Sequence, residues 1–317
     1  MNDFDNNKDF DEDLDPRELL AVLWLNKKFI VTFTTFAALL SVLYSLSLTN
    51  IYTAKTILTP TNSLASSGPP SQFGGLASMA GINLPRGGSG NQLDVALNLL
   101  KSKKLLDRLM LYESFLPDLL AAESWSMQTN TITYNQSIYD KKNNLWVRKA
   151  SIPFKQIPSS QEALGKFSGL VSLSRDNNTQ LITITVDHLS PVVAQQWSLW
   201  IVKEVNAILA NMEISNSQAS IDYLNSQIKI TPYSELRTMF YKLIQESTQS
   251  MMLAAVNPEY VLTTIDPPVI PEIKSGPKRS SICIFWTLLG GMLSILIILI
   301  RKFGFRKDDE LYIFKLR

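Results

Sequence analysis

The chain of 317 residues contains a single cysteine, Cys283, and a single histidine, His188. One cysteine excludes an intramolecular disulfide and a cysteine-based zinc cluster, and one histidine argues against a histidine-rich metal site. Charged residues make up only 18% of the chain, below the ~25% that is typical of soluble domains. The 30 basic and 28 acidic residues nearly balance, so the composition gives no sign of nucleic-acid binding. We therefore expect no metal, no cofactor and no nucleic-acid partner.

Catalytic motifs are missing as well. The pair Gly165–Lys166 lacks an upstream glycine and is followed by Phe167, so it is not a phosphate-binding loop. No GxSxG sequence occurs, and a serine triad would need the one histidine. His188 falls between a predicted strand and a predicted helix, where we expect an exposed turn residue. Asp222 and Glu235 could in principle pair as acid and base, but no pattern singles them out. The sequence predicts no catalytic residue.

Long apolar runs are the dominant feature. Residues 29–48 and 282–300 contain no charged residue, and each would span roughly 30 Å as a helix, which matches a hydrocarbon core. A buried helix of a soluble protein would normally show a charged face. A cleaved signal peptide would need a short basic leader, whereas the leader here is acidic (Asp3, Asp5, Asp9, Asp11, Glu12, Asp13, Asp15 and Glu18). We therefore predict transmembrane helices over 29–48 and 282–300.

Flanking charge predicts the orientation of both helices. Lys27 and Lys28 precede the first run, and basic residues follow the second (Arg301, Lys302, Arg306 and Lys307). Because short cytoplasmic segments are enriched in lysine and arginine, both termini are expected in the cytoplasm. The predicted arrangement is an acidic cytoplasmic tail (1–28), a span, an external domain (49–281), a second span and a cytoplasmic tail (301–317). Neither tail is long enough to bury a core of its own.

The external domain mixes strand and helix patterns. β-Branched residues and alternation predict strands over residues 51–59, 170–173, 181–186 and 261–265, and helical spacing predicts an amphipathic helix over 93–112. Residues 61–92 are rich in glycine, serine and proline and are predicted to form a loop.

A long helical hairpin is the most distinctive prediction. Ser190 and Pro191 are typical of a helix start, and apolar residues continue at helical spacing over 191–229. Pro232 ends this helix, and a second one is expected over 233–256. A helix of this length cannot be packed along its whole length by one small domain, so it bends or packs on copies of itself. A proline-rich linker, 266–281, leads into the second span.

Several segments together resemble the polysaccharide co-polymerases, the Wzz-type O-antigen chain-length determinants. The similar segments are Asp15–Trp24, Ile51–Ala54, Asp187–Pro191 with Ala194, Trp197 and Asn206, and a proline/glycine motif of Pro268, Pro271, Pro277, Lys278 and Gly290. The chain departs from the family pattern at Gly276 and Ser294. The fold class is therefore α+β, a periplasmic domain with a long helical hairpin flanked by two transmembrane helices.

The resemblance implies a function that composition alone does not. Proteins of this family are not enzymes; they form homo-oligomeric rings in the bacterial inner membrane, with the helical hairpins in the upper wall. They set the modal length of a lipid-linked polysaccharide, the O-antigen of lipopolysaccharide, that a membrane polymerase makes. The partners expected here are other copies of the chain, that polymerase, the lipid-linked polysaccharide and the lipid bilayer.

The resemblance also indicates which residues to test for oligomerisation and length control. They are Pro267, Pro268, Pro271, Pro277, Lys278, Gly290, Gly291 and Ser294. Gly290 and Ser294 form a small-xxx-small pair, which permits close contact between helices. Three other kinds of protein share parts of this pattern: a receptor, which would need a cytoplasmic output module; a membrane-anchored hydrolase, which would need a catalytic pocket; and an envelope export or adaptor scaffold. The export scaffold is the main alternative.

Overall fold

The structure, a computed structural model, describes residues 23–61 and 89–301. They fall into two compact units, one within Met1–Thr49 and Gly276–Arg317, the other within Asn50–Ser275. Most of the acidic tail, the C-terminal tail beyond Arg301 and most of the predicted loop 61–92 lie outside the described residues.

The elements follow one another in the order α1 (Lys27–Ser47), β1 (Tyr52–Pro60), α2 (Ser89–Leu99), α3 (Lys103–Leu109), α4 (Phe115–Leu120), β2 (Ala122–Ser126), β3 (Thr131–Tyr134), β4 (Tyr139–Asp140), β5 (Leu145–Trp146), α5 (Ser160–Leu170), β6 (Val171–Arg175), β7 (Ile182–His188), α6 (Pro191–Ile230), α7 (Ser234–Val256), β8 (Leu262–Asp266) and α8 (Arg279–Leu299). The chain thus has the α+β fold class that the sequence predicts.

Among residues 23–61 and 89–301, two helices are long and apolar enough to cross a membrane, α1 and α8, with 21 residues each. The second begins at Arg279, three residues before the charge-free run. The starts differ because a hydropathy pattern marks only the uncharged part of a helix. The helical backbone hydrogen bonds begin earlier, at the polar residues that precede the apolar run. The two helices pack against each other within their unit.

The core of the second unit is a four-stranded antiparallel sheet in the order β6-β7-β1-β8. Register places Tyr52 opposite His188 and Leu58 opposite Ile182. Alternate residues of the two central strands are buried, as the period of two requires. They pack with the first half of α6 in one core: Leu58, Ile182, Ile184, Val186, Trp197, Ile201 and Val205.

The region before the sheet differs from the sequence prediction. The expected single helix over 93–112 is two helices, α2 and α3, separated at residues 100–102. Ser102 Oγ accepts a hydrogen bond from Leu105 N at 3.2 Å and caps α3. Serine at this position offers the backbone an alternative to a continuous helix. Helix α2 also begins at Ser89, inside the predicted loop 61–92.

The helical hairpin dominates the C-terminal half of this unit. Helix α6 has 40 residues, a length of about 60 Å at 1.5 Å per residue. Its Pro191 is the first helical residue, and Ser190 Oγ accepts from Val193 N at 3.5 Å. Helix α7 packs back along α6. Large apolar side chains near the turn are exposed, among them Tyr223, Ile230 and Tyr233.

Candidate functional site

The proline-rich segment 267–275 follows a defined path along the Asn50–Ser275 unit. Pro268 is buried, and its carbonyl oxygen accepts a hydrogen bond from Gln195 Nε2 at 3.0 Å. At the other end, Ser275 N donates to Ile51 O at 2.9 Å. Because proline restricts the backbone, these two anchors hold the segment against the start of α6 and the start of β1.

The same segment contacts a cluster of side chains near the start of β1. Thr53 Oγ1 lies 2.5 Å from both Ser275 Oγ and Asp187 Oδ1. Thr53 thus links Ser275, the last residue of the proline segment, to Asp187 of β7. Of the predicted residues, Pro267, Pro268 and Pro271 lie in this segment; Pro267 is exposed and Pro271 half-buried.

The remaining predicted residues belong to the apolar helix pair. Gly290 and Ser294 lie where α8 contacts α1: a Cβ on Gly290 would meet Ala37 Cβ at 2.5 Å, and Ser294 is fully buried. On the facing helix, Ser41 and Ser45 are buried too. Small residues let two helices approach closely, and most of the large apolar side chains of both helices remain exposed.

Three further predicted residues lie in the same unit but outside that close contact. Gly291 has room, since a Cβ there would lie 3.9 Å from Thr34 Oγ1. Pro277 and Lys278 immediately precede α8, with Lys278 at its N-cap. The structure therefore places the eight residues in two separate groups, and their role in oligomerisation and length control stays a prediction.

His188 is not the exposed turn residue that the sequence led us to expect; that prediction is wrong. It is the last residue of β7 and is only 4% exposed. Its Nδ1 accepts from Ser190 N at 3.0 Å, so Nε2 carries the proton and donates to Asp118 O at 3.1 Å. Burial lowers the pKa of His188, which keeps the ring neutral. Ile182, Ile184 and Val186 of β7 alternate towards the core. His188 is the next residue in this alternation, so the period of two would have predicted that its side chain is buried.

Asp118, whose backbone carbonyl accepts the bond from His188, carries a buried carboxyl group. Asp118 is 4% exposed, and Tyr134 OH donates to its Oδ1 at 2.5 Å. Burial raises the pKa of Asp118, and burial together with the neighbouring carboxyl raises the pKa of Tyr134. The hydrogen bond attaches strand β3 to α4, so the arrangement is a structural one.

The sequence also gave no sign of a second buried acid, Glu204. It accepts from Arg108 Nε at 2.9 Å and from Tyr112 OH at 2.8 Å. Burial and the bond to Glu204 raise the pKa of Tyr112 to about 12. The tyrosine ring stacks on Trp200 with centroids 4.1 Å apart. This cluster joins α3 to α6, and no signal in the sequence paired these residues because they are distant along the chain.

Within the described ranges, no three His, Cys, Asp or Glu side chains are grouped as metal ligands. Cys283 is half-buried on α8 and unbridged.

Comparison with known proteins is consistent with the resemblance given by the sequence. The family model described as Wzz, chain length determinant protein, matches residues 12–111. This match confirms the Wzz-type resemblance over the N-terminal third of the chain, including Asp15–Trp24 and Ile51–Ala54. No curated protein matches the chain.

Two solved structures are similar to the chain at low identity. A full-length bacterial polysaccharide co-polymerase is 16% identical, with 92% of this chain and 99% of that one covered and a TM-score of 0.37. A fragment of WzzB, a polysaccharide co-polymerase from Salmonella Typhimurium, is 12% identical, with 72% and 100% covered and a TM-score of 0.30. With TM-scores below 0.5, neither likeness establishes that the folds are the same.

Proposed function

We propose that this chain, whose N-terminal third resembles the chain length determinant family, regulates the modal length of a lipid-linked surface polysaccharide. The observation that carries the proposal is the family match over residues 12–111. The polymer we propose is the O-antigen of lipopolysaccharide, and the chain acts as a regulator without catalysing polymerisation. The two apolar helices and the mixed domain between them in sequence fit such a membrane protein.

The proposed location is the bacterial inner membrane, with both termini in the cytoplasm and the Asn50–Ser275 unit in the periplasm. Lys27 and Lys28 precede α1, and basic residues follow α8. This distribution supports the orientation, because lysine and arginine concentrate in short cytoplasmic segments.

A homo-oligomer is part of the proposal. Large apolar side chains are exposed on the distal half of α6, in the turn and along α7: Tyr223, Ile230, Tyr233, Tyr241, Met252 and Val256. Exposed apolar surface on this scale favours contact with another protein surface. Copies of the same hairpin side by side would cover it and would place several chains around the membrane polymerase.

Length control would operate through the two groups of predicted residues. The anchored prolines 267, 268 and 271 fix the segment that leads towards α8, and Pro277, Lys278, Gly290, Gly291 and Ser294 belong to the helix unit itself. We infer that the oligomer dictates how many polymerases or growing chains are held together.

Replacing the prolines or Gly290 is expected to shift polymer length while membrane insertion is kept. An unchanged ladder from inserted variants would remove these residues from the proposal.

The direct test of function is deletion of the gene in its own host, with the surface polysaccharide separated on a silver-stained gel. We expect the modal ladder to give way to a smooth decay of short chains, and complementation to restore it. An unchanged ladder in the deletion strain would contradict length control and would favour the export-scaffold alternative.

A further inference from the structure

A cleft of about 480 Å³ opens on the Asn50–Ser275 unit beside the proline segment. Its walls come from four elements that are distant in sequence: the start of β1, the β2–β3 hairpin, the first residues of α6 and residues 270–272. The volume lies within the ~300–1,000 Å³ range of small-molecule sites. The anchored proline segment holds one wall of the cleft in place.

Two aromatic residues line the cleft, the buried Tyr52 and the half-buried Trp125. The rings of Tyr52 and Trp125 meet edge to face, with centroids 5.2 Å apart. Trp125 Nε1 donates to Asn130 Oδ1 at 3.0 Å, which fixes the orientation of the indole. Asn130 adopts a positive φ of 50°, which asparagine tolerates better than most residues. Met127, at the tip of the same hairpin, is 75% exposed and extends the apolar surface.

Two polar groups stand at the margin of this apolar surface. The indole bond uses only Oδ1 of Asn130, so Nδ2 can still donate to a ligand. The carboxylate of Glu272 is exposed and can accept from ligand hydroxyls. Of the described residues that line the cleft, one is acidic and none is basic. This charge pattern disfavours a phosphate or a carboxylate, and the amide donor of Asn130 with the carboxylate acceptor of Glu272 can hydrogen-bond a ligand that carries hydroxyl groups.

We propose that this cleft binds an uncharged pyranose unit of the polysaccharide. A pyranose ring has a face of C–H groups and a rim of hydroxyls, which match the half-buried indole of Trp125 and the two polar groups beside it. The inference rests on the proposed function, which supplies a polysaccharide as the ligand. The proposal also assigns Pro271 a role in polymer binding, because Pro271 lines the cleft. Substitutions in the proline segment would then alter its contact with the growing polymer.

The test measures saccharide binding by the full chain in lipid nanodiscs. The probe is the host's own polysaccharide, freed from its lipid by mild acid and fractionated to a few repeat units, and binding is followed by calorimetry. Removing the aromatic face with Trp125→Leu is expected to raise Kd by about tenfold. Removing the charged acceptor with Glu272→Gln is expected to raise Kd by about fivefold.

A matched control comes from the same part of the fold. Glu123 is an exposed acid on β2, the strand that carries Trp125, but it does not line the cleft. Glu123→Gln makes the same change of charge and should leave Kd within about twofold of the wild-type value. Circular dichroism establishes whether each variant is folded. If Trp125→Leu fails to fold, the comparison of Glu272→Gln with Glu123→Gln, both at exposed positions, decides the question.

The outcomes distinguish failure of the proposed saccharide site from failure of the proposed function. Selective weakening by Trp125→Leu and Glu272→Gln supports the cleft as the saccharide site. Equal binding by all variants, or no binding by the wild-type chain, overturns it, even if the deletion strain loses its modal ladder. A change of oligomer size in the cleft variants without saccharide binding overturns it in favour of contact with a second copy. A deletion strain that keeps its ladder contradicts the proposed function instead.

Discussion

Gly290 lies so close to Ala37 that a Cβ on the glycine would be 2.5 Å from the alanine Cβ. Gly290→Ala therefore forces α1 and α8 apart, and we expect it to destabilise the helix pair by about 1–3 kcal/mol, as overpacking does. The measurement is unfolding by sodium dodecyl sulfate in detergent micelles, followed by circular dichroism.

The adjacent glycine provides the control for that change. At Gly291 the nearest atom to a Cβ would be Thr34 Oγ1 at 3.9 Å, an ordinary contact. Gly291→Ala should be neutral or slightly stabilising, because alanine favours helix over glycine by up to ~1 kcal/mol. Equal destabilisation by both variants would show that any added methyl group on this helix, and not the contact with Ala37, determines the effect.

Asn206 connects α6 to the last strand of the sheet. It is 1% exposed, its Oδ1 accepts from Val261 N and Leu262 N, and its Nδ2 donates to Leu262 O at 2.9 Å. Asn206→Leu leaves these backbone groups buried without partners, which is expected to cost about 3 kcal/mol or more. Denaturant unfolding followed by tryptophan fluorescence measures the loss.

An exposed asparagine on the same helix is available for comparison. Asn216→Leu removes no buried hydrogen bond, since this side chain faces solvent, and should change stability by less than about 0.5 kcal/mol. If Asn206→Leu cost no more than Asn216→Leu, the three bonds to β8 would not contribute to the stability of the fold.

The buried histidine predicts how stability depends on pH. Burial holds the pKa of His188 below 6.5 in the folded chain, so below that pH the unfolded chain binds a proton that the folded chain does not. Stability should therefore fall as pH decreases from 7 to 5, by at most about 1.4 kcal/mol per pH unit from this group. Thermal unfolding across this range tests the slope.

A substitution isolates the part of that slope due to His188. His188→Asn keeps an acceptor for Ser190 N but cannot titrate, and it should flatten the dependence of Tm on pH while lowering Tm overall. Asp118 affects the pH dependence of stability in the opposite direction. Because its pKa is raised in the folded chain, the folded chain binds a proton more readily than the unfolded chain, and this group adds stability as pH falls. A variant whose slope equals that of the wild type would exclude His188 as the source.

The proposed topology can be tested by cysteine labelling, because Cys283 is the only native cysteine. In a Cys283→Ser background, Asn143→Cys places a thiol in the exposed turn between β4 and β5. It should react with a membrane-impermeant maleimide once the outer membrane is permeabilised. Asn7→Cys and Lys307→Cys should react only after the inner membrane is broken. The reverse pattern would contradict the proposed orientation.

Local signals were sufficient to predict much of the fold. Alternation over residues 181–186 predicted β7, which the structure extends to His188, and Ser190-Pro191 followed by apolar residues at helical spacing predicted α6. Long charge-free runs mark α1 and α8. These features depend on residues close together in the chain, so a single sequence is enough to detect them.

Features that depend on tertiary contact could not be predicted in the same way. The bond from Tyr134 to Asp118 and the cluster of Glu204 with Arg108 and Tyr112 join segments that no periodicity relates. The aromatic contact of Tyr52 with Trp125 joins β1 to the β2–β3 hairpin, which is distant from it along the chain. The cleft therefore became visible only once the sheet placed β1 beside the hairpin and the proline segment.

The most direct test of length control is reconstitution in liposomes of the host's membrane polymerase and its lipid-linked repeat units, with and without this chain. We predict that the polymerase alone gives a distribution that decays smoothly with length. Adding the chain should convert that distribution into one with a defined mode, as resolved on a polysaccharide gel. A distribution that is the same with and without the chain would contradict the account.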